Sequence, residues 1–430
     1  MPATITSQSP TEVKIELTVK LTGNMLDSEY AIQEAVNDAG RLATGCALES
    51  FDTDGSPIEI AGRRLHPKKL NGSYKQPKNY QTPYGITCVG RHVYQGPGGG
   101  ASYSPLDTGA RIISTSTPMM AKLVSAKYSR MGGRETVDDF LDHGREVEKK
   151  YVQNMAENVA QIAGMKEENW TYTTPELDTF VKSVTIGIDG GRANFLGEGW
   201  RDVMVGTIAI YDLAGERQHT IYIANAPEYG KSTFFKRMTR EIERIKSQYP
   251  FAKYIGMSDG AKDHWTFLEK HTDIQMLDFF HATEYMGEAS KAMFPKVAEA
   301  EEQEQWLADR CHQLKHEEGA AGRIEHMMRE ALGEARTKNQ RAEIQKAVTY
   351  FANNKHRMNY WENVKDKLSI GSGVTEAGCK VIIKQRLCQA GMRWKEKGCA
   401  SVLALRALNR TEGRWDQFWS KISQYGVPAG

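Results

Sequence analysis

The chain has 430 residues, of which 26% are charged and 40% hydrophobic, and its formal net charge is +2. This composition excludes extensive disorder, and the length predicts two or three structural units. No apolar stretch approaches the ~18 residues that a membrane span needs, and the N-terminus lacks a secretion signal. We therefore expect a cytoplasmic protein that makes no membrane contact.

The first region, residues 1–175, is predicted to be a separate α+β unit, because it mixes strand and helix patterns. Its expected elements are a strand at 13–21, a helix at 28–42, a strand or hairpin at 84–94, and helices at 117–128 and 136–163. Residues 51–80 are rich in glycine, proline and lysine, which is typical of a loop or linker.

The pattern changes near residue 180 to short apolar runs that alternate with amphipathic segments. Strands are expected at 183–188, 203–212, 219–224, 253–258 and 274–278, and helices at 231–247, at 262–270 and from about 282. This order predicts an α/β fold in which helices flank a mixed β-sheet core over residues 180–294. Residues 295–360 are predicted to form an all-helical insertion. Residues 361–430 are expected to return to the core, with helices at about 375–388 and 397–410.

Three carboxylates stand in distinctive positions. Asp189 and Asp259 each end an apolar run, and Glu376 opens a helical pattern after a glycine-rich turn. Acids at strand ends are accessible and rigidly held, as a pair of Mg²⁺ or Mn²⁺ ions requires. One such aspartate taken alone is more often a turn or cap residue. The ordered set predicts metal-dependent phosphodiester chemistry, with Asp189 bridging two ions, Asp259 ligating one ion and Glu376 the other.

Basic residues cluster in two segments, 61–80 and 379–397. Such clusters beside carboxylates can hold a phosphate backbone, although each can also be only a solvated face. The residues expected to contact DNA are Lys68, Lys69, Lys380, Lys384, Arg386 and Arg393. The six cysteines contain no C-x-x-C pair, so the sequence gives no sign of a zinc site and predicts reduced thiols.

Short motifs follow one another in a fixed order from about residue 80 to 419. They are Tyr80-Gln81-Thr82-Pro83-Tyr84-Gly85, Ser104-Pro105-Leu106-Asp107, Ile188-Asp189-Gly190-Gly191, Ser258-Asp259-Gly260-Ala261, Asp278-Phe279-Phe280-His281-Ala282-Thr283-Glu284, Gly371-Ser372-Gly373-Val374-Thr375-Glu376-Ala377, Lys384-Gln385-Arg386-Leu387 and Gly391-Met392-Arg393-Trp394. Each motif alone is weak. The ordered set resembles the DDE transposases of bacterial insertion sequences, most closely the ISKra-type group.

The resemblance implies an RNase H-like core in which Asp189, Asp259 and Glu376 form the catalytic triad and hold two Mg²⁺ (or Mn²⁺) ions. It implies strand cleavage and strand transfer at the ends of a mobile element, without a nucleotide cofactor. It also implies that Asp278 and His281 form a supporting D-x-x-H element, for which local capping by His281 is the alternative.

The partners implied by the resemblance are double-stranded DNA and further copies of the chain on that DNA, near the nucleoid. The helical insertion would contact element ends or a partner protomer, or would be only a solvated bundle. Relatives often carry paired cysteines near the N-terminus, whereas this chain keeps Cys46 and Cys88 without such a pair. A basic loop is the remaining candidate for DNA-end binding there.

Other functions fit parts of the sequence. Gly230-Lys231-Ser232-Thr233 resembles the end of a P-loop, but Asn225 stands where that motif needs a glycine. We therefore expect Lys231 and Ser232 only to open a helix. An inactive DNA-binding relative of the transposases is disfavoured by the intact carboxylates. A nuclease or junction resolvase with the same core is disfavoured by the long N-terminal region and the insertion.

Overall fold

The structure is a computed structural model that describes residues 3–9, 11–21, 23–259 and 261–427. The chain folds as two compact units. One comprises Met1–Thr173, Ala404–Asn409 and Gly413–Gly430, and the other comprises Thr174–Leu403 and Arg410–Glu412. The predicted assignment of all of residues 361–430 to the core is therefore wrong for the final helix. That helix packs in the first unit, where the ring of Phe418 lies 5.8 Å from that of Trp170.

The first unit is an α+β structure, and its described residues form three separate sheets. Its elements are β1 (Ala3–Gln8), β2 (Val13–Leu17), α1 (Met25–Glu49), β3 (Ile58–Ile60), β4 (Arg63–Pro67), β5 (Lys75–Thr82), β6 (Gly85–His92), β7 (Tyr94–Gly96), β8 (Gly99–Tyr103), α2 (Pro105–Gly109), α3 (Pro118–Arg130), α4 (Gly133–Asp142) and α5 (Lys149–Lys166). The sheets are β1-β2, β3-β4-β7-β8 and the hairpin β5-β6.

Two expectations for this unit are wrong. Residues 51–80 are not one loop, because β3, β4 and the start of β5 lie within them. The long helix over 136–163 is interrupted between α4 and α5, where Gly144 takes a φ of +66°. Arg145 is buried at this break and its Nε donates to the carbonyl of Thr82 at 3.0 Å. A buried guanidinium needs such acceptors, so the contact with β5 stabilises the break.

The second unit contains the strands and helices predicted for residues 180–294. Its elements are β9 (Val181–Phe195), β10 (Gly199–Asp212), β11 (Arg217–Asn225), α6 (Ser232–Gln248), β12 (Lys253–Ser258), α7 (Lys262–His271), β13 (Ile274–Leu277), α8 (Phe279–Met293), α9 (Ala300–His316), α10 (Ala320–Glu334), α11 (Lys338–Asn354), α12 (Tyr360–Lys365), α13 (Gly373–Cys379), a π-helical turn (Lys380–Lys384) and α14 (Gln385–Leu387). Two further helices, α15 (Glu396–Arg410) and α16 (Arg414–Tyr425), follow α14.

The central sheet has the strand order β11-β10-β9-β12-β13. The pairs β9–β10 and β10–β11 are antiparallel, whereas β12 is parallel to both β9 and β13. This arrangement confirms the predicted mixed sheet of an α/β fold. Buried sheet residues such as Ile186, Ile208 and Ile255 form its apolar core.

The insertion after α8 is helical, as predicted, and consists mainly of α9, α10 and α11. Its buried residues Ile324 and Phe351 belong to the same apolar cluster as the sheet. Burial of apolar surface in a shared core stabilises both parts together, so the insertion is not a separate folding body. Within the described part of the chain, no helix is long and apolar enough to cross a membrane.

Candidate active site

Asp189 and Asp259 lie at one edge of the central sheet. The pairing of β9 with β12 ends at Gly187↔Met257, two residues before Asp189, and Asp259 directly follows the last residue of β12. Ser258 Oγ lies 3.5 Å from the carbonyl of Ile188 and 3.3 Å from Asp259 Oδ1, which ties the two segments together. One detail differs from the expectation, because β9 does not end at residue 188 but pairs with β10 up to Phe195↔Gly199.

Glu376 is held over the same sheet by the packing of α13. A Cβ atom at Gly187 would lie 1.9 Å from Thr375 Oγ1, so only glycine allows the helix to approach β9 this closely. Thr375 Oγ1 is hydrogen-bonded to Thr207 Oγ1 of β10 at 2.7 Å, and both threonines are buried. The next residue along the helix is Glu376, whose side chain is exposed.

Cys379, one turn after Glu376, links α13 to Asp189. Its thiol is buried and donates a hydrogen bond to the Asp189 carboxylate. Burial raises the pKa of the Cys379 thiol, and the negative charge of Asp189 raises it further. The thiol is therefore a neutral donor at physiological pH, and the helix that carries Glu376 lies beside Asp189.

Asp278 is fully buried and holds the glycine-rich turn before α13. Its Oδ1 accepts from the backbone N–H of Phe280 at 3.2 Å and from that of Ser372 at 3.0 Å. Its Oδ2 is 2.8 Å from Ser372 Oγ, which also lies 2.9 Å from Glu376 Oε1. Asp278 therefore supports the segment that carries Glu376.

His281 is partly exposed on α8, and its Nδ1 lies 3.1 Å from Glu284 Oε2 on the same helix. Burial acts to lower the pKa of His281, but the hydrogen bond to Glu284 and the charges of Asp278 and Asp259 raise it overall. The local partner agrees with the alternative that His281 packs within its own helix. The carboxylates of Asp278, Asp259 and Glu284 therefore place negative charge around His281.

Asp189, Asp259 and Glu376 have no cationic partner in the part of the chain that the structure describes, because none of the three forms a salt bridge there. Exposed, unneutralised carboxylate oxygens are the donors that Mg²⁺ and Mn²⁺ prefer, so the donor chemistry fits these ions. In the same described residues, however, no three His, Cys, Asp or Glu side chains are already gathered into a metal-ligand group.

The predicted DNA-binding residues lie in both units, and all of them except Arg386 are exposed. Lys380, Lys384 and Arg393 are exposed in the second unit. Lys68 and Lys69 are exposed in the first unit, at the end of β4, and Lys69 Nζ lies 5.7 Å from the centre of the Tyr74 ring.

Arg386 requires a correction. It is 1% exposed, and its guanidinium lies 5.1 Å from the centre of the Trp394 ring. A buried guanidinium that stacks on an aromatic ring has a packing role and is not presented to a phosphate backbone.

The lysine of the P-loop-like segment contacts other side chains of the protein. Lys231 Nζ lies 2.7 Å from Asp263 Oδ2 and 3.2 Å from His264 Nε2. Residue 231 immediately precedes α6, as expected for a helix start. The role of His264 was not predicted, although it lies only five residues after Asp259.

Comparison with known proteins does not assign the chain to a family. A scan against models of known protein families gives no match, and a search of curated proteins gives none either.

Proposed function

We propose that this protein is a DDE-type DNA transposase with an RNase H-like core, which cleaves and joins DNA strands at the ends of an insertion sequence. The observation that carries the proposal is the convergence at one sheet edge of Asp189 and Asp259 with the helix bearing Glu376. The strand order β11-β10-β9-β12-β13 supports it, because it follows the core that the motif resemblance implies. The fold alone would not suffice, since one fold hosts many functions.

Two Mg²⁺ or Mn²⁺ ions are the cofactors that this proposal requires, and Asp189, Asp259 and Glu376 are the residues that would hold them. Such a pair supplies an activated water or hydroxyl nucleophile and stabilises the leaving oxygen of an in-line displacement. The chain itself orients the carboxylates through Cys379, Ser258 and Ser372.

The DNA backbone would be held by exposed lysines and arginines near the same edge. Trp394 pairs with the extended end of β9 through hydrogen bonds to Asn194 and Leu196, at 2.8 and 2.9 Å. The residue before it, Arg393, is therefore positioned beyond Asp189 along the strand. Lys384 lies close enough to Cys379 to lower the pKa of that thiol, against the larger effect of burial.

The test is Mg²⁺-dependent cleavage of a labelled duplex that carries the element's own end, read from DNA flanking the gene. We expect wild-type protein to cut at the element end and Asp189→Asn to bind the duplex without cutting it. Asp178→Asn is the matched control, because Asp178 is an exposed acid ahead of the opposite end of β9. This variant should cut like the wild type.

Other outcomes assign the protein differently. Tight binding without cutting by the wild type would support the alternative of a DNA-binding relative that has lost catalysis. Cutting at branched junctions in preference to element ends would support a resolvase. Equal cutting by wild type and Asp189→Asn would exclude Asp189 from the reaction.

A further inference from the structure

Lys231, in the segment that resembles a P-loop, is held in an unusual backbone conformation by contacts with α7. Lys231 has a left-handed backbone with a φ of +52°, directly after Gly230 with a φ of +72°. This conformation is unfavourable for a residue with a side chain, so the surroundings must hold it. The Lys231 ammonium contacts both Asp263 and His264, the second and third residues of α7.

The contact with Lys231 fixes the protonation of His264. An ammonium group can only donate hydrogen bonds, so His264 Nε2 must be the acceptor at 3.2 Å. A neutral imidazole that accepts at Nε2 carries its proton on Nδ1. Burial lowers the pKa of His264, and the charge of Lys231 lowers it further. The neutral ring is therefore the stable form, and its Nδ1–H points at Ser258 Oγ, 3.0 Å away.

Ser258 accepts a hydrogen bond from His264 and can donate one to Asp259. Ser258 is 1% exposed, and its hydroxyl accepts from His264, which leaves one proton to donate. The two acceptors within reach are Asp259 Oδ1 at 3.3 Å and the Ile188 carbonyl at 3.5 Å. Hydrogen bonds to an ionised acceptor are stronger, and the carboxylate is also the closer of the two.

We propose that Lys231, His264 and Ser258 form a one-directional hydrogen-bond relay that positions the Asp259 carboxylate for its role in the active site. Lys231, His264 and Ser258 are therefore positioning residues. The importance of the relay for catalysis rests on the proposed function above. It fixes one oxygen of Asp259 from the protein interior and leaves the other for a cation. Partners that orient a ligating carboxylate in this way are typically worth about 10- to 100-fold in activity or metal affinity.

The first test does not depend on activity. Nitrogen chemical shifts of the histidine rings, measured by NMR on the full-length protein without added metal, report the tautomer of each ring. The His264 signal is assigned by its loss in His264→Asn. We expect the Nδ1–H tautomer in the wild type, which is the minor form of a free imidazole, and a change of tautomer in Lys231→Met. An Nε2–H ring in the wild type would overturn the relay.

The second test measures single-turnover cleavage by Lys231→Met and Ser258→Ala. We expect the rate constant to fall about 10-fold in each, with unchanged affinity for the duplex, and Lys231→Arg to recover most of the rate. Ser258→Ala leaves the Lys231–Asp263 salt bridge intact, so it separates the relay from any loss of stability at α6. Lys270→Met is the control, because Lys270 is an exposed lysine at the other end of α7.

The outcomes separate the two proposals. A wild-type rate in both Lys231→Met and Ser258→Ala would refute the positioning role while leaving the transposase proposal intact. No cleavage by the wild type would overturn the proposed function and the catalytic role of the relay. The tautomer would still decide whether the relay exists.

Discussion

Replacing Gly187 by alanine is expected to disturb the candidate active site through the packing of α13. The new Cβ would lie 1.9 Å from Thr375 Oγ1 and 2.8 Å from Thr207 Oγ1, whereas real Cβ atoms essentially never come within 3.0 Å of another heavy atom. Gly187 lies within β9, so the clash rather than backbone strain is the cause. Either α13 moves away by about 1 Å, or the hydrogen bond between the two threonines breaks.

Both responses have a calculable cost. Overpacking a core by one methyl group costs about 1–3 kcal/mol, and a buried hydroxyl left without a partner adds about 1 kcal/mol. We expect Gly187→Ala to lower the free energy of unfolding by about 2–4 kcal/mol. Because Glu376 directly follows Thr375, a displacement of ~1 Å should also reduce the cleavage rate about 100-fold.

Urea denaturation followed by circular dichroism measures the stability, and a double-mutant cycle with Thr375→Ala tests the cause. Removing Thr375 Oγ1 relieves the closest contact, so the double variant should be less destabilised than the sum of the two single variants. Gly322→Ala in α10 is the control, because a Cβ there meets nothing within 4 Å. If Gly187→Ala unfolds within about 0.5 kcal/mol of the wild type, α13 does not pack on β9 as described.

Three further predictions concern charged side chains. Glu325→Gln should cost about 1 kcal/mol at pH 7 after solvent screening, because Glu325 accepts from Arg329 Nε at 3.1 Å and Lys355 Nζ at 3.0 Å. These hydrogen bonds lower the pKa of Glu325, so the stabilisation is full above the ordinary glutamate pKa near ~4.3 and is lost as the pH falls through the lowered folded value. Denaturation should therefore show a difference in unfolding free energy between the wild type and Glu325→Gln at neutral pH and none at strongly acidic pH. The same difference at both pH values would contradict the role given to the Glu325 carboxylate. Arg386→Met should lower the free energy of unfolding by about 1–2 kcal/mol, since it removes the contact with Trp394, and should leave the salt dependence of duplex binding unchanged. Lys384→Ala should leave the free energy of unfolding unchanged and reduce the slope of log affinity against log salt by about 1. Fluorescence anisotropy over a salt series measures this slope for both variants. A reduced slope in Arg386→Met with an unchanged slope in Lys384→Ala would mean that Arg386, and not Lys384, contacts the phosphate backbone.

The order and type of most core elements could be predicted from the sequence, because buried strands and amphipathic helices leave periodic apolar patterns. The extension of β9 to Phe195 could not. The run Asp189-Gly190-Gly191 has the composition of a turn, and only the pairing with β10 keeps it extended. The break between α4 and α5 was missed for a similar reason, since it depends on the contact of Arg145 with β5.

The candidate site was predictable where it depends on topology. Asp189 lies just after β9 stops pairing with its parallel neighbour β12, and Asp259 directly follows β12. Parallel strands bring such positions to the same edge of a sheet. The burial of Arg386 was not predictable, because a cluster of charges does not reveal which of its members faces the core. The contacts of Lys231 and His264 were also hidden, because they depend on side-chain directions that no local pattern encodes.

The partners of the three carboxylates provide the strongest argument that they form a working site. Asp189 accepts from the thiol of Cys379, and Asp259 Oδ1 lies 3.3 Å from Ser258 Oγ. Glu376 Oε1 lies 2.9 Å from Ser372 Oγ, whose single proton it shares with Asp278. Asp107 in the first unit differs, because Lys78 and Arg91 neutralise it.

Neutral donors orient a carboxylate without cancelling its charge, whereas a lysine or arginine would compete with a cation for the same oxygens. Three accessible acids that are each oriented but not neutralised therefore support the proposal that this site takes a cation.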